Sequence, residues 1–191
     1  MFDLDAFIEA CQRLVREPHA PRLALELMRE TIGDGAAVAK AVTPLDGRAN
    51  ALDAPLYRSA ELTILNATLR PGFVSIPHDH GMWAVIGIYD GEEANTFYRR
   101  AGAGLEKSNH RTVRTGEAIL LGEDVIHAIE NPLMTQTFGL HVYGGDLLAA
   151  ERSMWSPEAG EEHPYDVPQF YRWSRDLALA RRAAAAQATA G

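Results

Sequence analysis

Cysteine is almost absent: Cys11 is the single one among 191 residues. That excludes an intramolecular disulfide and suits a reducing compartment, so a cytoplasmic location is expected. Positive charge is also scarce, with 18 lysines and arginines against 26 aspartates and glutamates and a net charge of −8. Phosphate backbones are held by clustered cations, so nucleic acid is not an expected partner. No apolar run reaches the roughly 18–20 residues that a membrane span requires, so no membrane partner is expected either. The opening Met1-Phe2-Asp3-Leu4-Asp5 lacks the basic and then apolar blocks of a secretion signal. Internal repeats and charge blocks are missing as well. What is left is a chain whose partners are small molecules or copies of itself, as a monomer or homodimer.

The length suits one domain over residues 1–191, with a hydrophobic share of 47% to fill its core. Three zones divide it. In the helical N-terminal segment, residues 1–45, Leu4, Phe7, Ile8, Cys11 and Leu14 recur at helical spacing. Pro18 and Pro21 punctuate a second helical stretch, Leu23 to Ile32, which stops near Gly33 and Gly35. Over residues 57–148 the period becomes that of strands, as in Leu62 to Leu69, Trp83 to Tyr89, Glu117 to Leu121 and Thr137 to Tyr143. Turn signals part them at Pro71-Gly72, Asp90-Gly91, Gly102-Ala103-Gly104, Thr115-Gly116 and Gly144-Gly145. Many short strands with turns between them imply an all-β core, a barrel or sandwich. Residues 166–188 read as a C-terminal helix, with a frayed tail from Ala183.

Five of the seven histidines fall in the β zone, and four of them, His78, His80, His127 and His141, stand at telling positions. His78 and His80 are two apart, and on a strand such side chains share one face. Both can therefore reach one point inside a barrel, which His127 can join from a later strand. Three imidazoles on one ion leave positions open for substrate or oxygen, as a catalytic metal requires. Asp79 alternates away from that face and is expected to brace. Glu130 is expected to be solvated, and His19, His110 and His163 lack partners at ligand spacing.

The spacing around the histidines adds to this. Gly72 precedes His78 with five residues between, and Gly91 follows the apolar run Val85 to Ile88. Gly116 opens the stretch that ends in His127, and Asn131 follows with three residues between. This arrangement resembles the two motif segments of the cupin superfamily, with Gly122 at the second motif's turn and Leu120 where a proline is usual. The resemblance implies a double-stranded β-helix (a jelly-roll barrel) flanked by N-terminal helices and a C-terminal helix. It also implies a metal on His78, His80 and His127. The glutamate that many cupins supply as fourth ligand is replaced by Ala84 or Val85, which leaves a neutral three-histidine site.

That triad, with Gly139-Leu140-His141-Val142-Tyr143, resembles the thiol dioxygenases, the cysteine dioxygenase branch. The resemblance implies Fe(II) as cofactor, with Ni, Zn or Mn acceptable to the same ligands, and a small thiol and O2 as partners. His141 would orient the hydroxyl of Tyr143, and Gly139 stands where that family carries a serine. Arg58 is the nearest match to an arginine that holds the substrate carboxylate. Trp83 is expected as pocket wall or core. Ala84 also occupies the position of a cysteine that the animal enzymes join to the tyrosine. The expected activity is oxidation of a carboxylate-bearing thiol, such as cysteine or 3-mercaptopropionate, to its sulfinate. Two other readings stay open. The same ligands serve diketone cleavage or sugar isomerisation in other cupins, and a non-catalytic cupin would only bind its small molecule.

Overall fold

The structure is a computed structural model that describes residues 1–42, 54–102, 104–157 and 160–189. Residues 43–45 of the expected helical segment and Ala103 of the expected turn lie outside the described residues.

Three helices come first. In α1 (Leu4–Leu14) the side chain of Asp3 accepts from the amide of Ala6 at 3.1 Å, a helix-capping bond that ends one orphan donor. Phe7, Cys11 and Leu14 form its buried stripe, and burial pushes the Cys11 thiol up to about 12, which leaves it an inert core residue. The second helix, α2 (Ala20–Ile32), starts three residues earlier than its apolar pattern suggests. Pro21 sits in its first turn, where the missing amide hydrogen costs nothing. Ala20, Ala24, Met28 and Ile32 bury the face that packs on the sheet. A third helix, α3 (Gly35–Val42), follows at once within the expected helical segment, and buries Val38 and Val42. Completely burying a side chain such as Met28 or Ile32 contributes about 1.5–3 kcal/mol each.

The strands are β1 (Tyr57–Arg58), β2 (Thr63–Leu69), β3 (Ala84–Asp90), β4 (Glu92–Ala101), β5 (Gly104–Arg114), β6 (Ala118–Leu121), β7 (Ile126–Glu130) and β8 (Thr137–Tyr143). One antiparallel sheet runs β1-β2-β8-β3-β6, and a second runs β5-β4-β7. The bridges Val74↔Glu130 and His78↔His127 lay residues 74–78 beside β7, as a fourth member of the second sheet. From β2 to β8 the chain thus passes back and forth between the two sheets, which is the winding of a double-stranded β-helix. Gly72 and Gly116 take positive φ of 67° and 83°, so both expected turn glycines use backbone angles that other residues avoid.

Alternation along the strands sorts the core. Val85 and Tyr89 of β3 and Leu140 and Val142 of β8 face α1–α3, in a cluster with Phe7, Met28 and Ile32. Ala84, Ile86 and Ile88 face the opposite way and meet Leu65, Val113 and Tyr143 inside the barrel. Gly87 lets α2 lie close, because a Cβ there would overlap the Met28 side chain.

Sheet structure continues past Leu148. A hairpin of β9 (Ser153–Trp155) and β10 (Glu162–Pro164) extends it, and Met154 bridges to His78. The last helix, α4 (Val167–Thr189), is helical through the stretch expected to fray. Phe170 packs on Ile76 and Met154, and Ser174 accepts from the amide of Ile76 at 3.2 Å. These contacts fix α4 across one mouth of the barrel. No helix among the described residues is long and apolar enough to cross a membrane.

Candidate metal centre

His78 and His80 leave the 74–80 segment on one side, and His127 arrives from β7 opposite. The backbones of His78 and His127 exchange two hydrogen bonds of 2.9 Å, which locks the two ligand-bearing segments in register. All three residues are buried, and one nitrogen from each lies within 4.8 Å of the other two.

The outward nitrogens decide which atoms are free to ligate. His78 Nδ1 lies 3.1 Å from the carbonyl of Ile76, which can only accept, so that nitrogen carries the proton and Nε2 faces inward. His127 Nδ1 lies 2.8 Å from Asn95 Oδ1 on β4, which fixes its tautomer in the same way. The Nε2 atoms of His127 and His80 stand 3.3 Å apart. Two nitrogens that share one ion at about 2.1 Å stand roughly 3.0–3.4 Å apart, so this spacing fits a shared metal. Burial drives His78 down to about 4, against the opposing pull of its bond to Ile76. His80 and His127 are driven well below the ordinary value by burial first and by the neighbouring histidines second. All three are therefore neutral bases near neutral pH, the form that binds a cation. Among the described residues no carboxylate joins the group. Ala84 is buried on β3 directly across from Tyr143 of β8, so neither the fourth-ligand position nor the neighbour of the tyrosine offers a donor.

Beside the triad stands a second pair. His141 and Tyr143 share a face of β8, and His141 Nδ1 lies 3.0 Å from the Tyr143 hydroxyl. The Tyr143 ring packs edge-on to His80, with centroids 5.1 Å apart. Burial holds His141 down at about 4 and pushes the Tyr143 phenol above its usual value. His78, His80, His141 and Tyr143 all line one cavity of about 510 Å³ that opens under α4. Leu65, Phe73, Val74 and Ile129 give it apolar walls.

Two expected site residues lie elsewhere. Arg58 does not line the cavity: its guanidinium forks the carboxylate of Asp146 at 2.8 and 3.0 Å on the exposed rim of the first sheet. Trp83 packs at the edge of the helix-side core and covers Gly144, where a Cβ would overlap its ring. Asp79 braces as its parity suggests, accepting at 2.8 Å from the amide of Ser153. Glu130 keeps the solvent exposure expected of it and pairs with the equally exposed Arg181 of α4 at 2.8 Å. Asn131 donates to the carbonyls of Leu69 and Thr135 at 2.9 and 2.8 Å and holds the loop before β8.

Three residues of the site escape a reading of the sequence. Arg152 lines the cavity from the loop before β9, with its guanidinium 3.3 Å above the Tyr165 ring. Asn95 and Glu93 point into the barrel from β4, both wholly buried. Their signal is polar side chains at alternate positions with Phe97, the inward parity of that strand.

No family model matches the sequence. Among solved structures the chain is similar to an uncharacterised protein with a double-stranded β-helix domain from Klebsiella pneumoniae. That pair is 11% identical over 57% of this chain and 92% of the other, with a TM-score of 0.44. A cupin superfamily protein from Desulfitobacterium hafniense is 16% identical over 48% of this chain and 74% of its own, with a TM-score of 0.40. Oxalate decarboxylase from Bacillus subtilis is 22% identical over 49% of this chain, with a TM-score of 0.39. This chain spans only 23% of that enzyme's length.

Proposed function

We propose that the protein is an Fe(II)-dependent oxygenase that converts a carboxylate-bearing thiol to its sulfinate. The observation that carries this reading is the pairing of three neutral imidazoles, without a carboxylate, with a tyrosine hydroxyl held at the same cavity. A neutral ligand set leaves the full charge of the ion to favour an anionic thiolate. The reaction balances without a reductant: RSH and O2 give RSO2H, which ionises to RSO2− and a proton. Iron, when bound, supplies a Lewis acid that lowers the thiol pKa and the one-electron chemistry that lets O2 react.

The residues of the chain have separable tasks. His78, His80 and His127 would hold the ion through Nε2. Tyr143 presents its hydroxyl beside His80 and exchanges a hydrogen bond with His141, a neutral base at neutral pH. Arg152 offers a planar cation to a carboxylate in the same cavity, the task that the sequence suggests for Arg58. The apolar walls and Phe170, whose ring centroid lies 5.0 Å from that of His78, keep bulk water from the reacting atoms.

The cavity of about 510 Å³ falls in the usual range for small-molecule sites and exceeds the needs of a three-carbon thiol. That volume favours a thiol with an apolar body. It also favours, as a second reading, a larger anionic substrate handled by the same triad in other metal-dependent chemistry.

The deciding experiment is oxygen uptake by protein loaded anaerobically with Fe(II), against a panel of thiols of increasing apolar size, with product mass. Uptake matched by two added oxygen atoms on one thiol is the expected result. No uptake with any thiol while iron stays bound would move the assignment to the second reading.

A further inference from the structure

Glu93 is a carboxylate with no access to solvent, inside the barrel beside the equally buried Asn95. Such a group persists only where its surroundings use it, since an unpaired charge in the interior is costly. One oxygen, Oε1, accepts from Asn95 Nδ2 at 3.0 Å. The other, Oε2, has no hydrogen-bond partner among the described residues, and it stands 3.9 Å from His141 Nε2, which has none among them either. Two buried atoms without partners thus face each other across a gap less than an ångström beyond hydrogen-bond length, within the reach of a small torsion.

The proton on each group follows in sequence from the metal ligand. His127 donates from Nδ1 to Asn95 Oδ1, so the Asn95 amide must turn its NH2 toward Glu93. Burial lifts the Glu93 carboxyl to about 7, so on the alkaline side of that value it is ionised, with one oxygen occupied by that donor and the other presented as an acceptor to His141. His141 Nε2 is thereby the protonated nitrogen, its Nδ1 is a lone pair, and the Tyr143 hydroxyl must donate to it. Space agrees with this. A Cβ at Gly139 would come within 3.3 Å of His141 Nε2 and 3.0 Å of Ile88, so the bare glycine keeps open the face of the imidazole that Glu93 addresses.

We infer that Glu93 is a positioning residue, which holds His141 in its Nε2–H tautomer so that Tyr143 donates its hydroxyl proton to His141 Nδ1. Its effect on turnover rests on the assignment of Tyr143 to the reaction above; its effect on the tautomer does not. Glu93 and Asn95 together tie a metal ligand to the tyrosine through one buried line of polar groups, hydrogen-bonded at every link except the 3.9 Å step from Glu93 to His141. In that line the phenol hydrogen has a hydrogen-bond acceptor in place.

The test is nitrogen NMR of the histidine rings in metal-free, ¹⁵N-histidine-labelled protein at a pH above the Glu93 titration, with His141→Gln used to assign the signals. Wild type is expected to show His141 with a protonated Nε2 and a bare Nδ1. In Glu93→Gln the side-chain oxygen still accepts from Asn95, so the new NH2 faces His141 Nε2 and the ring is expected to switch to its Nδ1–H form. A wild-type His141 protonated on Nδ1 overturns the inference, whatever the variants do, as does a Glu93→Gln spectrum unchanged from wild type. In the iron-loaded enzyme Glu93→Gln should lower kcat about tenfold or more with KM unchanged, and Glu93→Asp should recover part of it. If no thiol is oxidised by wild type, the proposed reaction fails while the tautomer result still decides the role of Glu93.

Discussion

The guanidinium of Arg152 lies 3.3 Å above the ring of Tyr165 and faces the cavity that His78 and His80 line. Among the described residues no carboxylate forms an ion pair with this stacked guanidinium, whereas Arg58 is already forked by Asp146. Arg152→Ala is therefore expected to raise KM for a carboxylate-bearing thiol about 10- to 100-fold, the worth of about 1.5–3 kcal/mol for a charged hydrogen bond. Arg58→Ala should leave KM unchanged and cost little stability, as exposed pairs do. Steady-state oxygen uptake on both variants checks this; a KM effect confined to Arg58→Ala would reverse the assignment.

The barrel and its triad are legible because both rest on local rules. Strand parity puts His78 and His80 on one face, and turn glycines such as Gly72 mark the reversals on either side. The spacing of His127 from Gly116 needs only one strand and a turn. Arg152, Asn95 and Glu93 are not legible in this way, since each is placed by a long-range pairing. Asn95 meets His127 only through the β4–β7 ladder, 32 residues apart in the chain. Arg152 reaches the cavity through the β9 segment that follows the expected barrel. Arg58 illustrates the converse: position along the chain suggested a substrate cation, but Asp146, 88 residues later, is its partner.

Stability of the metal-free protein should fall with acid. His78 and His141 titrate near 6.5 when unfolded and near 4 when folded. Between these values the unfolded chain takes up protons that the folded one refuses, so stability is lost as pH falls from about 6.5 to about 4, by about 3 kcal/mol for each group. Glu93 acts against them. Burial lifts it from 4.5 to about 7, so the folded state holds its proton longer and loses stability as pH rises through that range. Four buried histidines shifted downward outweigh one carboxyl. Urea midpoints of the metal-free protein at pH 7.5 and pH 5 measure the net effect, and a flat profile would contradict these shifts.

Tyr143→Phe separates chemistry from binding. It removes the hydroxyl that pairs with His141 Nδ1 while keeping the ring against His80. The metal site and cavity walls stay in place, so KM should hold within about twofold while kcat falls on the order of 100-fold. Leaving His141 Nδ1 buried without its partner should also cost about 1–3 kcal/mol in denaturant unfolding. Unchanged kcat would remove Tyr143 from the reaction and leave it a packing residue.

Metal affinity should depend on Asn95, although it touches no ion. Asn95→Leu keeps a similar volume and leaves His127 Nδ1 without its acceptor, so the ring is free to rotate or to protonate the wrong nitrogen. Lost orienting bonds of this kind typically cost about 10- to 100-fold in metal affinity, to be measured by competition with a chromophoric chelator. Asn95→Asp should behave differently. Its carboxylate still accepts from His127, so the ligand stays oriented, but it no longer donates to Glu93 and sets a second buried carboxylate beside the first. The metal-free Asn95→Asp protein should thus be less stable than wild type, and saturating metal should recover much of the loss through the added charge on His127. Equal affinities for wild type and Asn95→Leu would mean that the paired backbones of His78 and His127 alone are enough to aim the ligand.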